Sequence, residues 1–267
     1  MKIGFIGCGN MARAMIEGLI QSDFAKPSEI MASALRFERL LEYAEKKRIG
    51  FTSDNTEVAR YANLLILAVK PQHYPEVISE ISSHLKEDAV VISLAPGISL
   101  AGMQELFGRP LKLVRTMPNT PASVLEGMTA LCSNALVTAG EEELVSALFE
   151  SFGRIESVKE SQMDAVIALS SSPAYCFMML EAMADGAVLH GLGRQEAYLF
   201  AAQSMLGAAK MVLELGQHPA ELKDNLCSPA GTTIEAVKKL EEKGFRSAII
   251  EALNASAEKT KRMEGKN

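Results

Sequence analysis

The feature that most constrains this chain lies at its start, KIGFIGCGNMARAMIEGLIQ at residues 2–21. A short apolar strand runs into a glycine turn. A helix follows, with Met11, Met15 and Leu19 at helical spacing. The turn is Gly7-x-Gly9-x-x-Ala12, the G-x-G-x-x-A form of a dinucleotide fingerprint. Gly7 makes the tight turn, Gly9 lets backbone approach a pyrophosphate, and Ala12 lets helix and strand pack closely. The helix N-terminus supplies N–H groups for the phosphates. A bare pattern of glycines is weak evidence. Strand before and helix after supply the context that a structural glycine turn lacks.

The next strand, EIMASA (29–34), ends without the Asp or Glu that would hold a ribose 2′-hydroxyl. It offers Ser33, then Arg36 and Arg39. A hydroxyl followed by Arg suits a 2′-phosphate, which favours NADP(H) and leaves NAD(H) possible. The bland alternative is a pair of surface arginines. LLILAV (64–69) and AVVISLA (89–95) are continuously apolar, as buried parallel strands are. They end in Lys70-Pro71-Gln72 and Pro96-Gly97-Ile98. KLVRTM (112–117) leads into Pro118-Asn119-Thr120-Pro121, a stiff loop at the same edge. The expectation is an α/β, doubly wound, mostly parallel Rossmann domain over residues 1–160.

From about residue 161 the pattern turns helical, through 267. DAVIALSSSPAYCFMMLEAMADGAVLHGLG reads as two helices broken at Ser170–Pro173. RQEAYLFAAQSMLGAAKMVLEL and SAIIEALNASAEKTKRM read as two more. AYCFMMLEAMADGAVL is broken by Glu181 and Asp185 and reads as a buried helix rather than a membrane span. Several helices are apolar on more than one face, which predicts a homodimer through this half. Within it, NLCSPAGTTIE (225–235) is small and kinked. Thr232-x-x-Glu235 has the capping-box form, and backbone N–H groups there, with Ser and Thr hydroxyls, would suit a small carboxylate.

Composition narrows the partners. The 267 residues carry a net charge of −6, with no basic run beyond KKR and KTKR, each interleaved with Glu in a helical pattern. Nucleic acid and anionic membrane are poor partners for such a surface. Cys8, Cys132, Cys176 and Cys227 form no CxxC pair and complete no zinc set, so no metal is expected. Isolated thiols suit a reducing cytosol, and a chain opening on a strand has no signal peptide, so a cytoplasmic location is expected.

Together, GFIGCGNMA (4–12), DN (54–55), LAVKPQ (67–72), VRTMPNTPASV (114–124), DAVIALSSSPAY (164–175) and LKDNLCSPAGTTIEAV (222–237) resemble the pyrroline-5-carboxylate reductases, over nearly the full chain. The MPNTP and SPxGTT blocks are far more specific than the fingerprint. The resemblance implies reduction of L-1-pyrroline-5-carboxylate to L-proline with NAD(P)H, the last step of proline biosynthesis. It also implies a helical C-terminal dimerisation domain over 161–267 and dimers that can gather into rings such as a decamer. Carried over by residue, Asn10, Met11, Ser33, Arg36, Asn55, Ala68, Lys70, Pro71 and Asn119 would join Gly7, Gly9 and Ala12 around the cofactor. Ser228, Gly231, Thr232 and Thr233 would hold the substrate, with Thr233 bonding the ring nitrogen. The chain departs from the family at Ser170–Tyr175, which is shorter and lacks glycine, at Ala230, and at Pro96. A competing acid is Tyr175; its plainer reading is a packed helix residue. Two rival readings stay open. One is a hydroxyacid dehydrogenase, against which the absence of a Lys or His in residues 164–185 counts. The other is a nucleotide-binding paralogue that is non-catalytic or acts on a related cyclic imine.

Overall fold

The computed structural model describes residues 1–263. They form two compact units, residues 1–170 with 256 onward, and residues 171–255. In the first unit the chain runs β1 (Ile3–Ile6), α1 (Asn10–Gln21), β2 (Ile30–Ser33), α2 (Phe37–Lys47), β3 (Gly50–Thr52), α3 (Asn55–Tyr61), β4 (Leu64–Leu67), α4 (Tyr74–Ile81), β5 (Val90–Ser93), α5 (Leu100–Phe107), β6 (Lys112–Met117), β7 (Gly127–Ser133), α6 (Ala139–Glu150), β8 (Gly153–Ser157) and α7 (Met163–Ser170). One eight-stranded sheet results, in the order β3-β2-β1-β4-β5-β6-β7-β8. Every pair is parallel except β6 with β7. The order reverses direction between β1 and β4, the switch point at which α/β sheets collect ligands.

Strand side chains alternate between two cores, because successive residues of a strand face opposite ways. Ile3, Phe5, Leu64, Ile66, Val90 and Ile92 join Met15, Ile16, Leu19 and Leu40, so α1 and α2 cover one face, with Val145 and Phe149 of α6. Ile6, Leu65, Leu67 and Val91 join Val58, Ile78 and Met103, so α3, α4 and α5 cover the other. Buried on both faces, these strands are almost wholly apolar in sequence, and the polar residue that ends β5, Ser93, is paired with Tyr74.

The second unit holds α8 (Pro173–Leu189), α9 (Arg194–Leu215), α10 (Pro219–Leu226), α11 (Thr232–Glu242) and the first half of α12 (Phe245–Met263). The break at 170–173 falls where expected, with Pro173 opening α8. Two expectations are corrected. The apolar stretch of α8 is not buried within one chain: Ala184 is its one buried residue, while Phe177, Met178 and Leu189 are exposed. By length and composition residues 160–189 could cross a membrane, but that stretch contains the break before Pro173 and the acids Glu181 and Asp185. The Thr232–Glu235 capping box does not form. Gly231 is the N-cap, Thr232 is already the first helical residue, and no side chain caps α11.

Candidate functional site

The fingerprint turn shows why it needs its glycines. Gly7 has φ +94°, and a Cβ there would lie 2.9 Å from the Ala68 carbonyl carbon and oxygen. Its N–H donates to the Ser33 carbonyl (3.0 Å), tying the turn to the tip of β2. Gly9 has ordinary dihedrals (φ −80°), and a Cβ there would meet no protein atom within 4 Å. That open space faces the start of α1, whose cap makes no side-chain hydrogen bond and whose first turn carries no acid. The first N–H groups of α1 are therefore left for an anion. Ala12 is buried against the core, while Asn10 is exposed and Met11 half-buried at the helix start.

Beside this turn lies a cavity of about 580 Å³. Gly7, Gly9, Arg36, Asn55, Ala68 and Lys70 line it, bringing together six of the positions expected around the cofactor. Glu76, Glu80 and His73 line it too. Arg36 and Lys70 are exposed, free to meet phosphate from solvent. Ser33 is fully buried, and its hydroxyl donates to Asn55 Oδ1 at 2.7 Å. It supports the cavity wall through Asn55 rather than lining it. Asp54 caps α3, accepting from the Thr56 N–H at 2.7 Å, so Asn55 opens the helix at a fixed height. The Thr56 hydroxyl and N–H hold the Asp54 carboxyl below the usual carboxylate range. Pro71 opens a 3-10 turn after Lys70. Asn119 also stands outside this cavity; its Oδ1 accepts from the Met128 N–H (2.8 Å), pinning the 118–121 loop to β7.

Two supports lay beyond sequence reasoning. Arg13 donates to the Cys8 carbonyl (3.2 Å) and the Arg39 carbonyl (3.0 Å), with its guanidinium 4.6 Å from the Tyr43 ring centroid. It clamps the glycine turn to α2. Tyr74, fully buried, donates to the Leu67 carbonyl (2.9 Å) and meets Ser93 Oγ (2.9 Å), joining the ends of β4 and β5. Burial raises both phenols. Partners 26 and 19 residues away in sequence leave no local signal for either role.

In the second unit, Ser228, Gly231, Thr232 and Thr233 come together where α11 begins. The Gly231 N–H donates to the Ser228 carbonyl (3.0 Å), and a Cβ on Gly231 would collide with Ser228 Oγ. Ser228, Thr232 and Thr233 are exposed. Hydroxyls and uncapped N–H groups thus share one helix start, and a carboxylate could be held there with no cation. Ala230 has φ +56°, the left-handed region where glycine is at ease. Tyr175, half-buried, lines a groove between α8 and α12 with Met179, Phe245 and Ile249.

The dinucleotide fits the first unit, since the glycine turn leaves room where a pyrophosphate approaches. Comparison with known proteins agrees. The family model "Pyrroline-5-carboxylate reductase dimerisation" matches residues 160–263, and "NADP oxidoreductase coenzyme F420-dependent" matches residues 2–97. The chain is 47% identical to the pyrroline-5-carboxylate reductase of Escherichia coli over 263 residues, 98% of each chain. It is 41% identical to that of Methanosarcina acetivorans over 98% of this chain and 97% of the other. Among solved structures, Plasmodium falciparum pyrroline carboxylate reductase with NADP bound matches at TM-score 0.90 and 31% identity, covering 99% and 98% of the two chains.

Proposed function

The chain belongs to the pyrroline-5-carboxylate reductase family, and from that premise we propose that it reduces L-1-pyrroline-5-carboxylate to L-proline, the last step of proline biosynthesis, using NADPH and accepting NADH. The observation that carries this reading beyond family membership is the start of α11, where N–H groups and hydroxyls converge with no His or Lys in residues 225–235 and no carboxylate there before Glu235 in the first turn. NADPH, when bound, supplies a hydride. Gly7, Gly9, Asn10, Met11 and Ala12 receive the pyrophosphate by backbone and helix start. Arg36 takes the 2′-phosphate. Asn55, held by Ser33, would meet the ribose with Ala68, Lys70 and Pro71, and Asn119 would hold the 118–121 loop in place beside the cofactor.

The substrate arrives as a protonated cyclic imine, so the chain need not provide a strong acid. The Thr232 and Thr233 N–H groups and the Ser228 hydroxyl hold its carboxylate, with Gly231 fixing the turn through its bond to the Ser228 carbonyl. The Thr233 hydroxyl bonds the ring nitrogen and orients the imine carbon. Hydride supplied to that carbon would move the C=N pair onto nitrogen, which would keep its proton as the amine of proline. A neutral hydroxyl tolerates both the cation and the amine.

Residues 1–160 act as the NADP-binding domain and 161–267 as the substrate-binding and dimerisation domain. The working form is a cytoplasmic homodimer through the C-terminal helices, with a decamer as further assembly and no nucleic-acid or membrane partner. The test is NADPH oxidation by purified protein with and without L-1-pyrroline-5-carboxylate, repeated with NADH, with proline quantified. Turnover dependent on the imine supports the reading. NADPH binding without turnover favours a non-catalytic paralogue, or one acting on a related cyclic imine.

A further inference from the structure

The cofactor cavity holds two opposed pairs of charges. Arg36 and Lys70 line it, but so do Glu76 and Glu80. Glu80 is also fastened in place: its Oε2 accepts from Asn55 Nδ2 at 2.7 Å, while Asn55 Oδ1 accepts from buried Ser33 at 2.7 Å. An ionised carboxylate can only accept. Glu80 therefore fixes which end of the Asn55 amide faces it, and that leaves the Asn55 oxygen to Ser33. A serine, an amide and a carboxylate form one directed chain from the tip of β2 to α4, with Asn55 and Glu80 both at the cavity wall.

We propose that Glu80 is a specificity-determining and positioning residue for the cofactor. It holds Asn55 in one orientation, and its charge offsets part of the attraction that Arg36 offers a 2′-phosphate, so NADH remains usable. This rests on the cofactor reading above. The charge and the hydrogen bond separate by substitution. Glu80→Gln keeps an acceptor for Asn55 Nδ2 and removes the charge. Glu80→Ala removes both. A like charge sharing a cavity with a phosphate weakens its binding, and salt screens the effect.

The test measures dissociation constants by calorimetry at low and high salt for NADPH and NADH, and for the fragments adenosine 2′,5′-bisphosphate and adenosine 5′-monophosphate. In Glu80→Gln the preference for the 2′-phosphorylated member of each pair rises about 3-fold or more at low salt, and less at high salt. In Glu80→Ala both members of each pair weaken, because Asn55 loses its anchor. A Glu80→Gln preference equal to wild type overturns the inference even if Glu80→Ala binds poorly, since that pattern is a structural role alone. A wild-type chain that binds neither dinucleotide nor fragment overturns the cofactor reading and Glu80's role with it.

Discussion

Two glycines two residues apart should respond to the same substitution in opposite ways. At Gly7 an alanine meets φ +94° and backbone atoms of Ala68 at 2.9 Å. The left-handed backbone costs about 1–2 kcal/mol, and crowding a packed site adds about 1–3 kcal/mol. Gly7→Ala should therefore destabilise the apo-protein by about 2–5 kcal/mol. At roughly 2–4 °C per kcal/mol for a chain of this size, its melting temperature falls by about 4–20 °C. At Gly9 the new methyl meets no protein atom within 4 Å and φ is already −80°. Stability should change by no more than about 1 kcal/mol, in either direction. The methyl instead fills the space a pyrophosphate needs, so NADPH affinity should fall about tenfold or more, at least about 1.4 kcal/mol. Thermal melting without ligand and NADPH fluorescence titration separate the two effects. A Gly9→Ala protein that binds NADPH as wild type does, or a Gly7→Ala protein that melts with wild type, would refute the reasoning.

Thr233→Ala should lower kcat/KM for the imine about 10-fold or more, equivalent to at least about 1.4 kcal/mol, with NADPH affinity retained; unchanged steady-state kinetics would remove Thr233 from the role. Tyr74→Phe leaves the Leu67 carbonyl and Ser93 hydroxyl without their buried partner. It should cost about 1–3 kcal/mol by chemical denaturation, and a wild-type midpoint would show that water replaces the phenol. Asp54 is held below its ordinary value, so its contribution is present above the unfolded carboxylate range near ~3.9 and is lost as pH falls through the lower folded value. Asp54→Asn keeps a cap but does not titrate, so its melting temperature should fall less steeply than wild type between about pH 5 and 3; equal slopes would count against the cap.

The central strands were legible because burial on both faces forces unbroken apolar runs. LLILAV and AVVISLA coincide with β4 and β5 to within two residues at each end, and KLVRTM coincides with β6 although Arg115 and Thr116 interrupt its apolar run. The antiparallel turn to β7, and β8 beyond it, left no such trace. β8 is a sparsely buried edge strand containing Arg154 and Glu156. Both strands begin with glycine, Gly127 beside Gly153, and a Cβ on Gly153 would collide with the Gly127 backbone. These glycines serve close approach of the two strands rather than a turn. The same limit applies at the site. The fingerprint is local and readable, whereas Glu80 reaches Asn55 from 25 residues away and Ser33 vanishes behind it. At α11 the pattern misled by one residue: Ser228 Oγ lies against Gly231, where any larger residue would collide, so glycine takes the cap and Thr232 moves into the helix.

The helices of the second unit invert the usual order of small and large. In α8 and α9 the buried residues are Ala184, Ala197 and Ala201, while Phe177, Met178, Leu199 and Phe200 are exposed. The alanines bring helices close, but they bury little area. A large apolar side chain left in water forgoes about 1.5–3 kcal/mol, so four such residues forgo on the order of 6–12 kcal/mol, comparable with a domain's whole stability. A second subunit covering these faces recovers that energy, in keeping with the dimerisation family matched over 160–263. Phe200, 65% exposed in one chain, is a sharp test because an acid there changes little within the subunit. Phe200→Glu should shift the mass by light scattering toward the monomer and lower the melting temperature, while NADPH binding by the first unit persists. A variant with wild-type mass and melting temperature would place Phe200 outside the interface, and the inversion of small and large would then need another cause.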